Sequence, residues 1–210
     1  MMSNKSKIEE FAEVFTNQNE VSSMLDLVKN EVDRIDSTFL EPACGDGNFL
    51  CEILNRKINN IIHKYEGSSF EIEKYSFLAL TSLYGIDIQN ENVLKTRENL
   101  FNLFVEKISS VNTINPNLEK SALVVLSHNI ICANPITLKI DGENENIIFT
   151  QWNFIDEINI VRREFKISHL IAYAPFEEGS LFSDLGEDVF IPEPVKDYKP
   201  TNFLELHNGG

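Results

Sequence analysis

Two carboxylates and two glycines are the residues of this chain best placed for chemistry. Glu41 closes the apolar run of "STFLEP", Gly45 and Gly47 follow in "ACGDGN", and Asp87 ends "YGID". Glycines reach backbone conformations closed to other residues and let a ligand approach the main chain. Unpaired N–H groups at the start of the helix predicted after the turn favour an anion or a carboxylate. A carboxylate at a strand tip can accept hydrogen bonds from both hydroxyls of a ribose. No Gly-Lys-Ser/Thr follows the turn, which excludes a phosphate-binding P-loop, and Leu50 stands where the dinucleotide pattern GxGxxG needs its third glycine. Taken alone, the turn leaves three readings open: a nucleotide-like cofactor, a phosphate, or no ligand.

The elements that must position these residues follow from hydrophobic spacing. "STFLEPA" and "YGIDI" are predicted strands, and "HNIICA" is a third. Between them, "NFLCEILNRKINNIIHKY" places Phe49, Leu50, Ile53, Leu54, Ile58, Ile61 and Ile62 at helical spacing, and "EIEKYSFLALTSL" continues as a second helix. "NENVLKTRENLFNLFVEKI", with Asn90 as N-cap, and "NPNLEKSALVVLS" are helices before the third strand. This alternation predicts a parallel sheet with crossover helices and the strand ends along one rim. Upstream, "KIEEFAEVF" and "VSSMLDLVKNEV" are amphipathic, with Asn19 or a polar neighbour capping the second. After Pro135, "TLKIDGENENIIFTQWNF" reads as two β-prone runs around an Asp-Gly turn, a predicted hairpin. "INIVRREFKISHLIAYA" reads as strand or short helix, with Arg162 and Arg163 as a solvated pair, His128 opening the third strand and Trp152 a core or partner-facing anchor.

Composition narrows the class. The 210 residues are 42% hydrophobic and 24% charged, and the net charge is −15. That sign opposes independent, tight nucleic-acid binding, which rests on phosphate neutralisation by Lys and Arg. No apolar run approaches the roughly 18–20 residues that span a bilayer, and the N-terminus has no signal-peptide pattern. Three cysteines, an odd number, read as reduced thiols of a cytoplasmic protein. Scattered histidines and the lack of a CxxC pair give no metal signature. From Glu177 to Gly210 eight acidic residues face two lysines, with three prolines, so this segment is expected to lie extended along the domain or a partner.

"FLEPACGDGNFL" closely resembles the cofactor motif of the S-adenosylmethionine-dependent DNA adenine methyltransferases of bacterial restriction–modification systems, a strand followed by D/E-P-x-C-G-x-G-x-F. "YGIDI" resembles their second cofactor motif, and "FAEVFTNQNEVSSMLDLV" their upstream segment. The resemblance spans roughly residues 10–140. It implies a Rossmann-like class I methyltransferase α/β fold: a mostly parallel sheet with helices on both faces. An N-terminal helical segment (1–34), the α/β domain (35–175) and an extended acidic tail (176–210) would make up the chain. It implies S-adenosylmethionine as cofactor, with Phe15 and Thr16 near the methionine end, Glu41, Ala43, Gly45 and Gly47 forming the turn around it, Asp87 on the ribose hydroxyls and Ile88 against the adenine. "NIICANPITL" resembles the third motif, with Asn134 able to accept from the adenine amino group through its side-chain oxygen.

The chain departs from the family at the catalytic motif, N/D/S-P-P-Y/F/W, whose polar group and aromatic ring hold a flipped adenine. "ANPIT" offers Asn134 and Pro135 without the second proline and the aromatic; these two are the catalytic candidates. "YAPFEE" offers Pro175 and Phe176, with Tyr173 and Ala174 in place of the polar residue and first proline. Asn17 replaces the proline of the upstream segment. No segment suits target recognition, so a partner subunit, a specificity or nuclease component, is expected to bring the DNA. A catalytically silent binding or regulatory module is the alternative, and a methyltransferase for a small molecule or protein a third reading.

Overall fold

The computed structural model describes residues 17–140, 146–167 and 193–209. Its first helices are α1 (Gln18–Leu27) and α2 (Lys29–Asp33), which break at Val28 where the sequence suggested one run. The cap of α1 is Asn17: its side chain accepts from Asn19 N–H, and Glu20 reaches back to the Asn17 N–H. Val21, Leu25 and Val32 enter the core.

Strand β1 (Phe39–Glu41) leads through the glycine turn into α3 (Asn48–Lys64), then α4 (Ser69–Thr81) and strand β2 (Leu83–Asp87). Helices α5 (Asn90–Ser109) and α6 (Pro116–Asn129) connect β2 to β3 (Ile130–Cys132). The three strands form a parallel sheet in the order β1–β2–β3, with Phe39 opposite Leu83 and Asp87 opposite Cys132. Every residue of β2 is buried, as a central strand covered on both faces requires. On one face Gly85 lies so close to Leu50, Cys44 and Ile130 that a Cβ would stand 3.0–3.1 Å from them.

The joint between the N-terminal helices and this sheet is a buried lysine. Lys57, 0% exposed, donates from Nζ to the carbonyls of Ile35 (3.0 Å) and Ser37 (2.6 Å) and to the Ser82 hydroxyl (2.8 Å). Burial lowers its pKa to about 7. All three amine donors are used, which is what permits so deep a placement.

A second sheet is antiparallel. It comprises β4 (Ile148–Phe154), β5 (Asn159–Lys166), β6 (Lys196–Asp197) and β7 (Thr201–Asn202), the last two short strands both pairing with β5. The expectation of a single Rossmann-like, mostly parallel sheet with helices on both faces is therefore overturned: the described residues form a three-stranded parallel sheet and a separate four-stranded antiparallel one. The reason is visible in β4, where buried Thr150 and Trp152 alternate with exposed Gln151 and Asn153. Such alternation suits an antiparallel pair with one solvated face, not a parallel strand buried on both. The hairpin also sits on the face expected to carry helices: Tyr84 donates to the Thr150 carbonyl (2.7 Å), and Ile86 packs with Ile147 and Ile167.

Two smaller expectations change as well. The hairpin partner of β4 is β5, not the segment before Asp141, which contributes only isolated bridges of Lys139 with Asn134 and Asn146; the Asp-Gly turn itself lies outside the described residues. His128 belongs to the last turn of α6, not to the third strand.

Candidate functional site

The glycine turn is held from three sides. Cys44 N–H donates to the Ile86 carbonyl (2.9 Å), and Gly47 N–H donates back to the Cys44 carbonyl (2.8 Å), closing a four-residue turn. Gly45 has φ +53° and Gly47 φ +87°, the left-handed region that favours glycine. From α5, the Thr96 hydroxyl donates to the Gly45 carbonyl (2.8 Å) and the Asn99 amide to the Asp46 carbonyl (2.8 Å). From β2, the Asp87 carboxylate accepts the Gly45 N–H (2.9 Å).

Asp87 is thus the hub of the rim. Its Oδ2 takes Gly45 N–H, while Oδ1 takes Gln89 N–H (2.8 Å) and the Asn92 side-chain amide (3.3 Å). A carboxylate offers about four lone-pair sites, so these bonds leave room for one more donor. A second would have to displace the long Asn92 contact. The N-cap of α5, Gln89, contributes no side-chain bond, and its own N–H goes to Asp87; Asn90 is the first helical residue instead of the cap.

The other predicted residues spread along the same rim. Glu41 ends β1 opposite Gly85, half-buried, and burial raises its carboxyl pKa against a hydrogen bond from the Ala43 backbone. Ala43 is exposed, and a Cβ on Gly45 would meet nothing within 4 Å, so the turn has an open side. Gly47 is different: it is buried as the N-cap of α3, and a Cβ there would stand 2.8 Å from Thr96 Cγ2. Ile88, just past Asp87, is 47% exposed. Asn134 and Pro135 follow β3, whose end is joined to Asp87 by the Ala133 N–H (3.0 Å). The Asn134 side-chain oxygen accepts from Ile136 N–H (2.9 Å) and Thr137 N–H (3.1 Å), an Asx turn around Pro135. Phe15, Thr16 and the Tyr173–Phe176 segment lie outside the described residues.

The cysteines flanking the turn are protonated thiols. Burial pushes both Cys44 and Cys51 up to about 12, so neither is a ready nucleophile at neutral pH. Among the described residues no three His, Cys, Asp or Glu side chains stand close enough to hold a metal ion, and no helix is long and apolar enough to cross a membrane.

Sequence reasoning missed the α5 contribution. Asn92, Thr96 and Asn99 stand at i, i+4 and i+7, one face of the helix, and Thr96 is fully buried. Three small polar side chains in register within an amphipathic helix were the available signal. In comparisons with known proteins, the chain matches no family model, no curated protein and no solved structure.

Proposed function

We propose that the chain binds S-adenosylmethionine at this rim and serves as a DNA adenine methyltransferase-like subunit of a restriction–modification or related defence system in the cytoplasm. The observation that carries the reading is the bond from Gly45 N–H to Asp87, which joins the glycine turn to the acidic strand tip across the sheet. Around it the residues fit such a cofactor: an open side at Gly45, a lone-pair site left on Asp87 for a ribose hydroxyl, and an exposed Ile88 to lie against adenine. When bound, the cofactor would supply a sulfonium methyl for in-line attack by an adenine amino nitrogen. This chain's part is to orient that group through Gly45, Asp87 and Ile88. With a net charge of −15, DNA is to be brought by a basic partner subunit.

One observation favours the second reading, a catalytically silent binding or regulatory module. The Asn134 oxygen, the candidate acceptor for the adenine amino group, already takes two backbone N–H groups of its own turn. Calorimetry with S-adenosylhomocysteine tests the shared part of both readings: micromolar binding lost in Asp87→Ala is expected, and no binding to the wild-type chain sinks them. Since Asp87→Ala strands three donors, a stability loss of about 2–4 kcal/mol is expected, and binding is measured well below the variant's Tm. Transfer of radiolabelled methyl groups to unmethylated DNA, with and without the products of neighbouring genes, separates the readings. Incorporation in any pairing supports the enzyme; none leaves the silent module.

A further inference from the structure

Next to the rim, the described residues line an open cavity of about 310 Å³ between β3, α5, the last turn of α6 and the start of the β4–β5 hairpin. One wall is hydrocarbon: Ile131, Ile140, Ile147 and Ile148. The polar lining includes Arg97, His128, Thr150 and Glu164. A small apolar pocket with a few converging polar groups is the ordinary form of a small-molecule site.

The charges sort cleanly. Arg97 donates Nε to the Ile130 carbonyl (2.9 Å) and Nη2 to the Ser127 carbonyl (3.0 Å). Those partners are neutral, and among the described residues no carboxylate pairs with it. Burial presses its pKa below the usual arginine value, the mark of a cation whose lost hydration is not made up by an anion. Glu164, by contrast, is offset: its Oε1 accepts from Arg162 and from the Tyr198 hydroxyl (2.9 Å). His128 places Nδ1 3.5 Å from Arg162 Nη2. Burial, then the charge of Arg162, holds its pKa down to about 4, so the ring is neutral at pH 7. With Nδ1 facing a guanidinium, the proton belongs on Nε2, a donor. Thr150 is 2% exposed, and its hydroxyl makes no hydrogen bond among the described residues. The lining therefore carries one positive charge without a carboxylate partner among the described residues, one carboxylate already engaged by Arg162, neutral polar groups that include His128 and Thr150, and a branched aliphatic wall.

We propose that this cavity binds a small organic monocarboxylate, with its carboxylate on Arg97 and its hydrocarbon body against the isoleucines. Arginine matches a carboxylate in geometry as well as charge. Arg97 opposes a cationic ligand, and Glu164 opposes a dianion such as phosphate. The site adjoins the rim through β3, where Cys132 of the lining donates from Sγ to the Ile88 carbonyl (3.5 Å), but Arg97, His128 and Thr150 are not among the residues assigned to the rim.

Benzoate and its neutral isostere benzamide form the test, read by methyl NMR on the full chain labelled at isoleucine. Benzoate is expected to give saturable shifts at the isoleucine methyls of the cavity, with a Kd on the order of 1 mM, and benzamide to bind at least about tenfold more weakly. Arg97→Gln should weaken benzoate about tenfold or more, while leaving benzamide unchanged. Should that variant fail to fold, Thr150→Val, which keeps the shape and removes the hydroxyl, is expected to weaken benzoate by a few-fold. The proposal is overturned by shifts that do not saturate up to about 20 mM, by equal affinity for the acid and the amide, or by shifts that map to isoleucines outside the cavity.

Discussion

The two glycines of the turn should respond very differently to the same small change. At Gly45 an added methyl group meets nothing within 4 Å, so Gly45→Ala suffers only from a left-handed φ of +53°, a cost of about 1–2 kcal/mol. At Gly47, φ +87°, the same strain applies, and the new Cβ also lies 2.8 Å from Thr96 Cγ2 and 3.1 Å from its hydroxyl. Forcing a methyl into a packed site adds about 1–3 kcal/mol, so Gly47→Ala should exceed Gly45→Ala by about 2 kcal/mol. For a chain of this size that is a gap of about 4–8 °C in Tm. Thr96→Ser removes the offending methyl and keeps the hydroxyl that donates to the Gly45 carbonyl; by itself it should cost about 1 kcal/mol. In the double variant Gly47→Ala/Thr96→Ser the 2.8 Å overlap is removed and only the closer-than-usual contacts with the hydroxyl (3.1 Å) and Cβ (3.2 Å) are left, so the combined loss should fall short of the sum by about 1 kcal/mol. Gly45→Ala/Thr96→Ser should be additive to within about 0.5 kcal/mol. Urea unfolding of the wild type and five variants measures all of these. Equal losses at the two glycines, or an additive Gly47–Thr96 pair, would refute the packing argument, whatever the turn binds.

Lys57 gives stability a pH dependence. Its folded value of about 7 lies below the ordinary 10.5, so in between the unfolded chain binds the proton more tightly and stability rises with pH. Above about 9 the thiols of Cys44 and Cys51, raised to about 12, act the other way, because the folded chain keeps protons that the unfolded one has released. Urea midpoints between about pH 7 and 9 should therefore climb in the wild type and flatten in Lys57→Met; an unchanged slope would remove Lys57 as the cause. His128, lowered to about 4 from 6.5, should make stability rise with pH across that lower interval, and His128→Phe should abolish that part of an acid-denaturation profile. Trp152 donates Nε1 to the buried Asn129 Oδ1 (2.9 Å). Trp152→Phe leaves that acceptor unpaired, and calorimetry should find a loss of about 1–3 kcal/mol; a loss below about 0.5 kcal/mol would mean the bond contributes little.

What could be read from the sequence was mostly local. The apolar spacing of α3 is confirmed by the burial of Leu50, Ile53, Leu54, Ile58 and Ile61, because a single helix face decides it. The polar residue on that face, Lys57, was invisible: its acceptors Ile35, Ser37 and Ser82 are distant in sequence, and lysine is ordinarily a surface residue. The order strand, helices, strand held for β1 to β3, but the partner of β4 was misassigned because pairing register is set by long-range contacts. The run "IFTQWNF" was read as one arm of a hairpin; its alternation of buried and exposed residues also marked a sheet apart from the parallel one, a signal that the preceding βα pattern overshadowed. At the site, the glycines and Asp87 were legible from residue type and spacing. The clamp formed by Thr96 and Asn99 was not, since nothing within α5 indicates which backbone its polar face meets.

The aromatic residue that follows β7 has a kinetic consequence. Phe203 is fully buried, with ring centroids 5.5 Å from Phe77 of α4 and from Phe154 of β4 and 6.4 Å from Phe70. Each of those partners is remote from it in the chain, so the contact brings no reward until a very long loop has closed. Until then α4 and the hairpin face each other across an unfilled aromatic socket. An intermediate with the parallel sheet formed and Phe203 still outside would display Phe77 and Phe154 to solvent, and with them the surface most prone to unwanted association.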